Sequence, residues 1–255
     1  MKIRLVGSSA GDGGGHQFLM SYVVNDVVAF DAGGIGFAIP LDAQRAIEHV
    51  FLSHSHIDHI ASLPSFVENV SSADTSGPVV YGSAETLDCV RTHIFNDQVW
   101  PDLQRLSHGE TSFLTMTPFD CTTALEVAGI RVLPVELDHL VPTVGFLIDD
   151  GETAVAIVSD TGPTDAIWRL ANQIPHLKAI FLEATFPDSM AWLAEKSKHL
   201  TPALFAAEVA KLDADIPVIA IHIKPAFHAD VVNELEALRL PQLEIGVPGN
   251  EYRID

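Results

Sequence analysis

Three histidines and one aspartate fall within six positions in His54-Ser55-His56-Ile57-Asp58-His59. Imidazole and carboxylate groups crowded in this way are the donors of a metal site. In an extended segment, side chains two apart point the same way, so His54 and His56 can close on one cation. Asp58 and His59 follow at the start of a run with helical character, Ile60-Ala61-Ser62-Leu63 onward, and can reach a second cation beside the first. A carboxylate also suits a helix N-terminus.

The order His-x-His-x-Asp-His, set directly behind the apolar run Val50-Phe51-Leu52, resembles the metal loop of the metallo-β-lactamase superfamily. The resemblance implies an αβ/βα sandwich, an α/β fold of two mixed sheets flanked by helices, and usually two zinc ions. It does not imply one reaction, because a fold hosts many chemistries. Two zinc ions need about seven or eight protein contacts, so the cluster must be completed from elsewhere. Three strand ends can supply them: His139, Asp160 and His222. On this reading His54, His56 and His139 hold one zinc, and Asp58, His59 and His222 hold the other. One oxygen of Asp160 bridges them, leaving a water or hydroxide shared between the ions. Mn2+ or Fe2+ would fit the same ligands, since geometry and availability set selectivity. Zinc brings the ionisation of a bound water down to about pH 7, so the site suits hydrolysis. Within the same superfamily pattern, Asp31 in Asp31-Ala32-Gly33 supports the metal loop from behind.

Such a site needs strands that end at one rim. Residues 3–6 read as a strand, and the glycine-rich run 7–15 as a flexible loop near the site, because no Gly-Lys-Ser/Thr follows to make it a phosphate cradle. Asn25-Asp26 between two valine-rich runs, 22–24 and 27–30, has the composition of a tight hairpin. A short helical stretch over 42–49 precedes the central strand and metal loop, and a helix continues to about residue 70. Beyond a polar loop at 71–78 comes a strand at 79–81, then a helix opened by Ser83 as its cap and running towards Phe95. Strands follow at 113–116, 122–126 and 130–135, with a hairpin of 144–148 and 153–158 around Asp149-Asp150-Gly151. The strands at 179–182 and 218–221 then alternate with helices that include 202–212 and 229–240, the rhythm of the second half of a sandwich.

The chain has 255 residues, and nothing in it reads as a linker, so one domain over 1–255 is expected. With 34 acidic against 14 basic residues, the net charge is −20. That balance repels a polyanion, and no Lys/Arg cluster offsets it. Cys89 and Cys121 stand outside any Cys-x-x-Cys spacing and read as buried or reduced thiols. The N-terminus lacks the long apolar core of a signal peptide, and no run reaches the length of a membrane span. A cytoplasmic protein is the expectation.

Across nearly its whole length the chain resembles the class II 3′,5′-cyclic-nucleotide phosphodiesterases. The likeness rests on the metal loop through Leu63, on His93-Ile94-Phe95-Asn96 with Trp100-Pro101-Asp102-Leu103, and on Ser107-His108-Gly109. It continues in Glu183-Ala184-Thr185-Phe186-Pro187, Lys198-His199-Leu200-Thr201-Pro202 and Ile221-His222-Ile223-Lys224-Pro225. Ile57 stands where that family usually has Leu, and Ser62 where Gly or Ser is allowed; neither is a ligand. Glu183-Ala184-Thr185 and His199-Leu200-Thr201 also look like the acid-handling motifs of the tRNA 3′-processing endonucleases, a sister group. By that likeness His199 is the general acid at the leaving oxygen and Glu183 orients it, since phosphodiester hydrolysis must protonate an alkoxide. With Asp58 they form the catalytic set.

The implied activity is hydrolysis of cyclic AMP, with cyclic GMP as a second substrate, to the 5′-monophosphate. The rivals are a tRNA-processing endonuclease, which would need a basic arm for RNA, and a lactonase or thioesterase, which would not need the Glu/His pair. The aromatic segment 95–103 could stack a purine, pack in the core, or serve a homodimer contact. Spacing does not choose among these.

Overall fold

The computed structural model describes residues 1–8, 15–71, 76–108 and 112–255. The glycine-rich loop expected over 7–15, the middle of the polar loop at 71–78, and Gly109 of Ser107-His108-Gly109 lie mostly or wholly outside the described residues.

Short runs of β-branched and aromatic residues form two seven-stranded sheets. The first is built from β1 (Lys2–Leu5), β2 (Tyr22–Val24), β3 (Val28–Phe30), β4 (His49–Phe51), β5 (Val79–Gly82), β6 (Thr115–Pro118) and β14 (Glu251–Arg253), in the order β14-β1-β2-β3-β4-β5-β6. The second comprises β7 (Leu125–Val127), β8 (Ile130–Leu137), β9 (Thr143–Asp149), β10 (Ala154–Ile157), β11 (Leu177–Glu183), β12 (Val218–Ile221) and β13 (Leu243–Ile245), in the order β13-β12-β11-β10-β9-β8-β7. Each sheet is antiparallel on one side and parallel on the other. In the first, β14 to β3 are antiparallel and β3 to β6 parallel. In the second, β7 to β10 are antiparallel and β10 to β13 parallel.

Alternation along the strands decides what each layer touches, because successive side chains face opposite sides of a sheet. Tyr22, Phe30, Phe51, Phe146 and Phe181 point between the sheets and form a shared aromatic core. There Phe30 and Phe146 lie 5.0 Å apart, and Tyr22 and Phe181 5.6 Å apart, between ring centroids. Their neighbours Val50 and Leu52 face outward onto helices instead.

Helices α1 (Ile35–Ala38), α2 (Leu41–Gln44), α3 (Ile57–Ile60), α4 (Leu63–Val70), α5 (Ala84–His93) and α6 (Leu103–Leu106) precede the second sheet in the chain. Ile35, Leu63, Phe66 and Val90 from this group close the outer face of the first sheet. After α7 (Ala166–Ala171), α8 (Ala191–Ser197) leads into the His199 segment, followed by α9 (Pro202–Val209) and α10 (His228–Ala237). Trp168, Phe205 and Val231 cover the second sheet. The architecture is the expected sandwich of two mixed sheets between helical layers. No helix among the described residues is long and apolar enough to cross a membrane.

Several boundaries differ from the sequence reading. The helix expected to run to residue 70 is broken into α3 and α4 at Ala61–Ser62. There the Ser62 hydroxyl donates to the Ala32 carbonyl at 2.7 Å and accepts from Gly36 N at 2.9 Å. The helical stretch at 42–49 shrinks to Leu41–Gln44, because Glu48 N is taken by Val27 O at 3.0 Å and His49 already belongs to β4. Thr122 and Thr123 are held by Asp120 Oδ1 in a turn, so β7 starts only at Leu125. β13 and β14 have no counterpart in the sequence reading: at three residues each, their alternation is too short to stand out from the surrounding chain. Two local signals did hold. Asn25 and Asp26 take φ of 49° and 64°, the double left-handed turn of a tight hairpin, and the Ser83 side chain accepts from Thr86 N at 3.1 Å.

Candidate metal centre

The donors come from strand ends of both sheets. β4 runs into the loop carrying His54, His56, Asp58 and His59, while β8, β10 and β12 end just before His139, Asp160 and His222. One ligand atom each from His54, His56, His139 and Asp160 lie within 4.8 Å of one another, and so do those of Asp58, His59 and His222. The structure therefore brings all seven sequence-derived candidates into two adjoining groups.

Asp160 stands between the groups, but not through a single oxygen. Its Oδ2 lies 3.7 Å from His54 Nε2 and 4.0 Å from His139 Nε2. Its Oδ1 lies 3.4 Å from His59 Nε2 and 3.5 Å from His222 Nε2. Each oxygen thus faces one group.

The residues fit metal ions by a test internal to the fold. His54 Nε2 and His59 Nε2 are buried with no hydrogen-bond partner among the described residues. An orphaned buried polar atom costs about 1–3 kcal/mol, and two in one crevice beside a buried carboxylate are donors placed for a cation. Burial pushes the imidazoles of His54, His56 and His139 below their ordinary range, so they present the neutral form that coordinates metal. Burial alone would raise the carboxyls of Asp58 and Asp160, but the surrounding histidines outweigh it and hold both below the usual carboxylate range. Burial likewise opposes charge on His59, and there Asp160 and Asp31 win and raise it.

The orientation of these donors is set from behind. Asp31, with φ of 59°, accepts His59 Nδ1–H at 2.7 Å and Ser53 N–H at 2.7 Å, and the Ser53 hydroxyl donates to it at 2.8 Å. Ser53 Oγ in turn lies 3.0 Å from His54 Nδ1. Gly33 cannot be larger: a Cβ there would sit 1.9 Å from the Asp58 carbonyl oxygen, which also accepts Met20 N–H at 2.8 Å. His139 Nδ1 donates to the Lys198 carbonyl at 2.9 Å, and Lys198 reaches that position in the left-handed region, with φ of 54°. His222, with φ of 58°, is held by its N–H to Gln17 Oε1 at 2.9 Å and by its Nδ1 against Thr185 Oγ at 2.9 Å. A left-handed non-glycine residue costs roughly 1–2 kcal/mol, which these contacts must offset.

Glu183 and His199 adjoin the cluster. Glu183 is fully buried at the end of β11, and His199 Nδ1 lies 2.9 Å from its Oε1. Glu183 Oε1 also accepts Thr161 N–H at 2.8 Å, and Oε2 accepts Leu200 N–H at 3.0 Å. The His199 ring lies 5.0 Å from that of His139 and 5.5 Å from that of His222. Burial lowers His199, but Glu183 overcomes it and lifts the imidazole above its ordinary range.

Sequence reasoning missed Ser53, Gln17 and Lys224, whose Nζ lies 3.3 Å from Asp58 Oδ2. Lys224 stood inside a quoted motif, yet nothing in its spacing placed it on Asp58. Trp100 goes elsewhere: it packs against the outer helical layer and lines a groove with Glu68, Ser71 and Phe113, away from the donors.

Residues 41–226 match the family model described as cAMP phosphodiesterases class-II, a span that contains all seven donors together with Glu183 and His199. The chain belongs to this class II phosphodiesterase family. Among relatives of this class II member is a probable 3′,5′-cyclic-nucleotide phosphodiesterase of Yersinia pestis, 28% identical over 82% of the chain and 67% of the relative. The 3′,5′-cyclic-nucleotide phosphodiesterase 1 of Saccharomyces cerevisiae is 26% identical over 76% of the chain. The match spans 62% of that yeast protein's own length. The crystal structure of unliganded yeast PDE1 superposes with a TM-score of 0.79 at 16% identity, covering 98% of each chain, a likeness of fold.

Proposed function

We propose that this class II phosphodiesterase hydrolyses 3′,5′-cyclic nucleotides, cyclic AMP first and cyclic GMP second, to 5′-monophosphates at a dinuclear zinc centre. The observation that carries the reading is Asp160, whose two oxygens are divided between two groups of buried donors. His54, His56 and His139 would hold one ion and Asp58, His59 and His222 the other, with Asp160 shared; Mn2+ or Fe2+ could take the same places. When bound, such a pair of ions supplies a water ionised near neutral pH and positive charge for a phosphodiester.

The chain's own residues supply the proton. Nδ1–H of His199 is committed to Glu183, so its Nε2 is the nitrogen left to carry a proton to the ribose 3′-oxygen as the P–O bond breaks. Buried Glu183 keeps the ring oriented and stabilises its protonated form.

A small substrate fits the charge balance. Lys2 and Arg4 are engaged with Asp26 and Glu251, and the net charge of −20 opposes a long polyanion. A cytoplasmic site of action fits the two free cysteines, Cys89 and Cys121.

The test is a substrate panel with zinc-loaded protein: cyclic AMP, cyclic GMP, a 2′,3′-cyclic nucleotide, precursor tRNA and an acyl lactone. Elemental analysis accompanies it. Two zinc ions per chain and turnover of the 3′,5′-cyclic nucleotides far above the rest are expected, with weak salt dependence. Efficient tRNA cleavage at physiological salt, or full activity with one metal, would reverse the assignment.

A further inference from the structure

Two buried carboxylates stand behind the donors, one from each sheet, and each is paired with a hydroxyl. At the end of β3, Asp31 reaches His59 directly and His54 through Ser53. At the end of β11, Glu183 reaches His199 directly through Oε1. Its Oε2 is met by the Thr185 hydroxyl, which lies 2.9 Å from His222 Nδ1.

Proton counting assigns the direction of that chain. Thr185 has one hydroxyl proton, and Glu183 Oε2, a pure acceptor, takes it. The oxygen of Thr185 can then only accept from His222, so His222 carries its proton on Nδ1. Its Nε2 is then the nitrogen turned towards Asp58 at 3.3 Å and Asp160 at 3.5 Å, on the side where an ion would sit. The contact of His199 Nδ1 to Thr185 Oγ, at 3.4 Å, is secondary, because that N–H already serves Glu183 at 2.9 Å.

We propose that Thr185 is a positioning residue for His222: its hydroxyl relays Glu183 to His222 Nδ1, so one carboxylate orients the proton donor through Oε1 and a metal ligand through Oε2. The inference rests on the reading of His222 as a ligand. The two duties of Glu183 separate at Thr185 and cannot be separated at Glu183 itself.

Thr185→Val keeps the shape and removes the hydroxyl, while Glu183 Oε2 retains Leu200 N–H, so the fold keeps a partner for the carboxylate. Thr185→Ser restores the hydroxyl without the methyl group. The first readout is the His222 tautomer in metal-free protein, from nitrogen–proton correlation spectra of the imidazoles. A protonated Nδ1 is expected in the wild type and the serine variant, and its loss in the valine variant. The second is Zn2+ affinity by chelator competition. One of the two ions should weaken by roughly 10–100-fold in Thr185→Val, the usual cost of removing an outer-shell partner, and recover in Thr185→Ser. The third is the ratio of rates on cyclic AMP and a nitrophenyl phosphodiester at saturating zinc. It should stay near wild type in Thr185→Val and drop in Glu183→Gln, because only the latter removes support from His199.

An unchanged His222 tautomer and unchanged zinc affinity in Thr185→Val would overturn the relay. So would a loss of affinity that serine does not repair, which would assign Thr185 to packing. Uptake of a single zinc by the wild type would defeat the dinuclear reading, and the tautomer measured without metal then still decides the relay.

Discussion

Replacing His199 with alanine separates proton delivery from metal binding. Of the four donors that converge on Glu183, the substitution removes one and leaves Thr161 N–H, Leu200 N–H and the Thr185 hydroxyl. The carboxylate is therefore not orphaned, and the stability loss should stay within about 1–3 kcal/mol, the scale of one buried hydrogen bond. That fits inside the ~5–15 kcal/mol by which most domains are stable, so the variant should fold. His199 holds no place in the proposed ligand set, and both zinc ions should remain. Removing a general acid costs ~10²–10⁴ in rate, or roughly 3–5 kcal/mol of barrier at ~1.4 kcal/mol per decade. The assay is steady-state kcat on cyclic AMP and on a nitrophenyl phosphodiester, whose leaving group needs little protonation, with zinc content measured on the same preparations. The cyclic AMP rate should fall by that factor and the nitrophenyl rate by much less. Equal losses on both substrates with zinc unchanged would place His199 on the phosphoryl oxygens instead, and unchanged rates would remove it from the mechanism.

Asp31→Asn should weaken zinc binding by roughly 10–100-fold, because an amide offers one acceptor where the carboxylate serves His59 and Ser53 together; chelator competition showing wild-type affinity would contradict the role given to Asp31. Gly33→Ala would drive a Cβ to within 1.9 Å of the Asp58 carbonyl and 2.7 Å of Met20 N. Neither is a flexible side chain, so a loss of about 3 kcal/mol or more is expected in denaturant titration, and a wild-type midpoint would show that the metal loop is not braced there. Stripping metal should lower Tm and adding zinc should restore it, with a gain in stability of about 2.7 kcal/mol per ion at a free concentration a hundredfold above that site's Kd. A Tm indifferent to zinc in calorimetry would argue against ions held by the folded centre.

Much of the site was legible in one loop. His54, His56, Asp58 and His59 follow an apolar strand closely enough for local geometry to aim them together, and the periodicity of strand and helix is a property of the chain alone. The hairpin at Asn25-Asp26 and the cap at Ser83 were legible for the same reason, since each is satisfied within a few residues. The family resemblance added Glu183 and His199 by motif and paired them, but not the Thr161, Leu200 and Thr185 donors that also converge on Glu183. Elements that depend on a distant partner were misplaced or missed. β14 exists because β1 offers it an edge, and the break at Ser62 exists because the Ala32 carbonyl accepts from the Ser62 hydroxyl and amide while Gly36 N–H donates to that hydroxyl.

What the order of residues determined is which groups could act: an imidazole-rich loop, three later donors at strand ends, and an acid pair. Tertiary structure alone decided how they act on one another. His56 and His139 are 83 positions apart in sequence and 3.2 Å apart in space. The split of Asp160 between two donor groups and Lys224 beside Asp58 depend on how the two sheets pack, and the hydroxyl of Thr185 between Glu183 and His222 depends on the pairing of β11 with β12. Spacing along a chain specifies direction over a few residues. Distances between strand ends of two facing sheets are set by the side chains that fill the space between them, Phe30, Phe51, Phe146 and Phe181 among them, and those contacts form only when the whole core does.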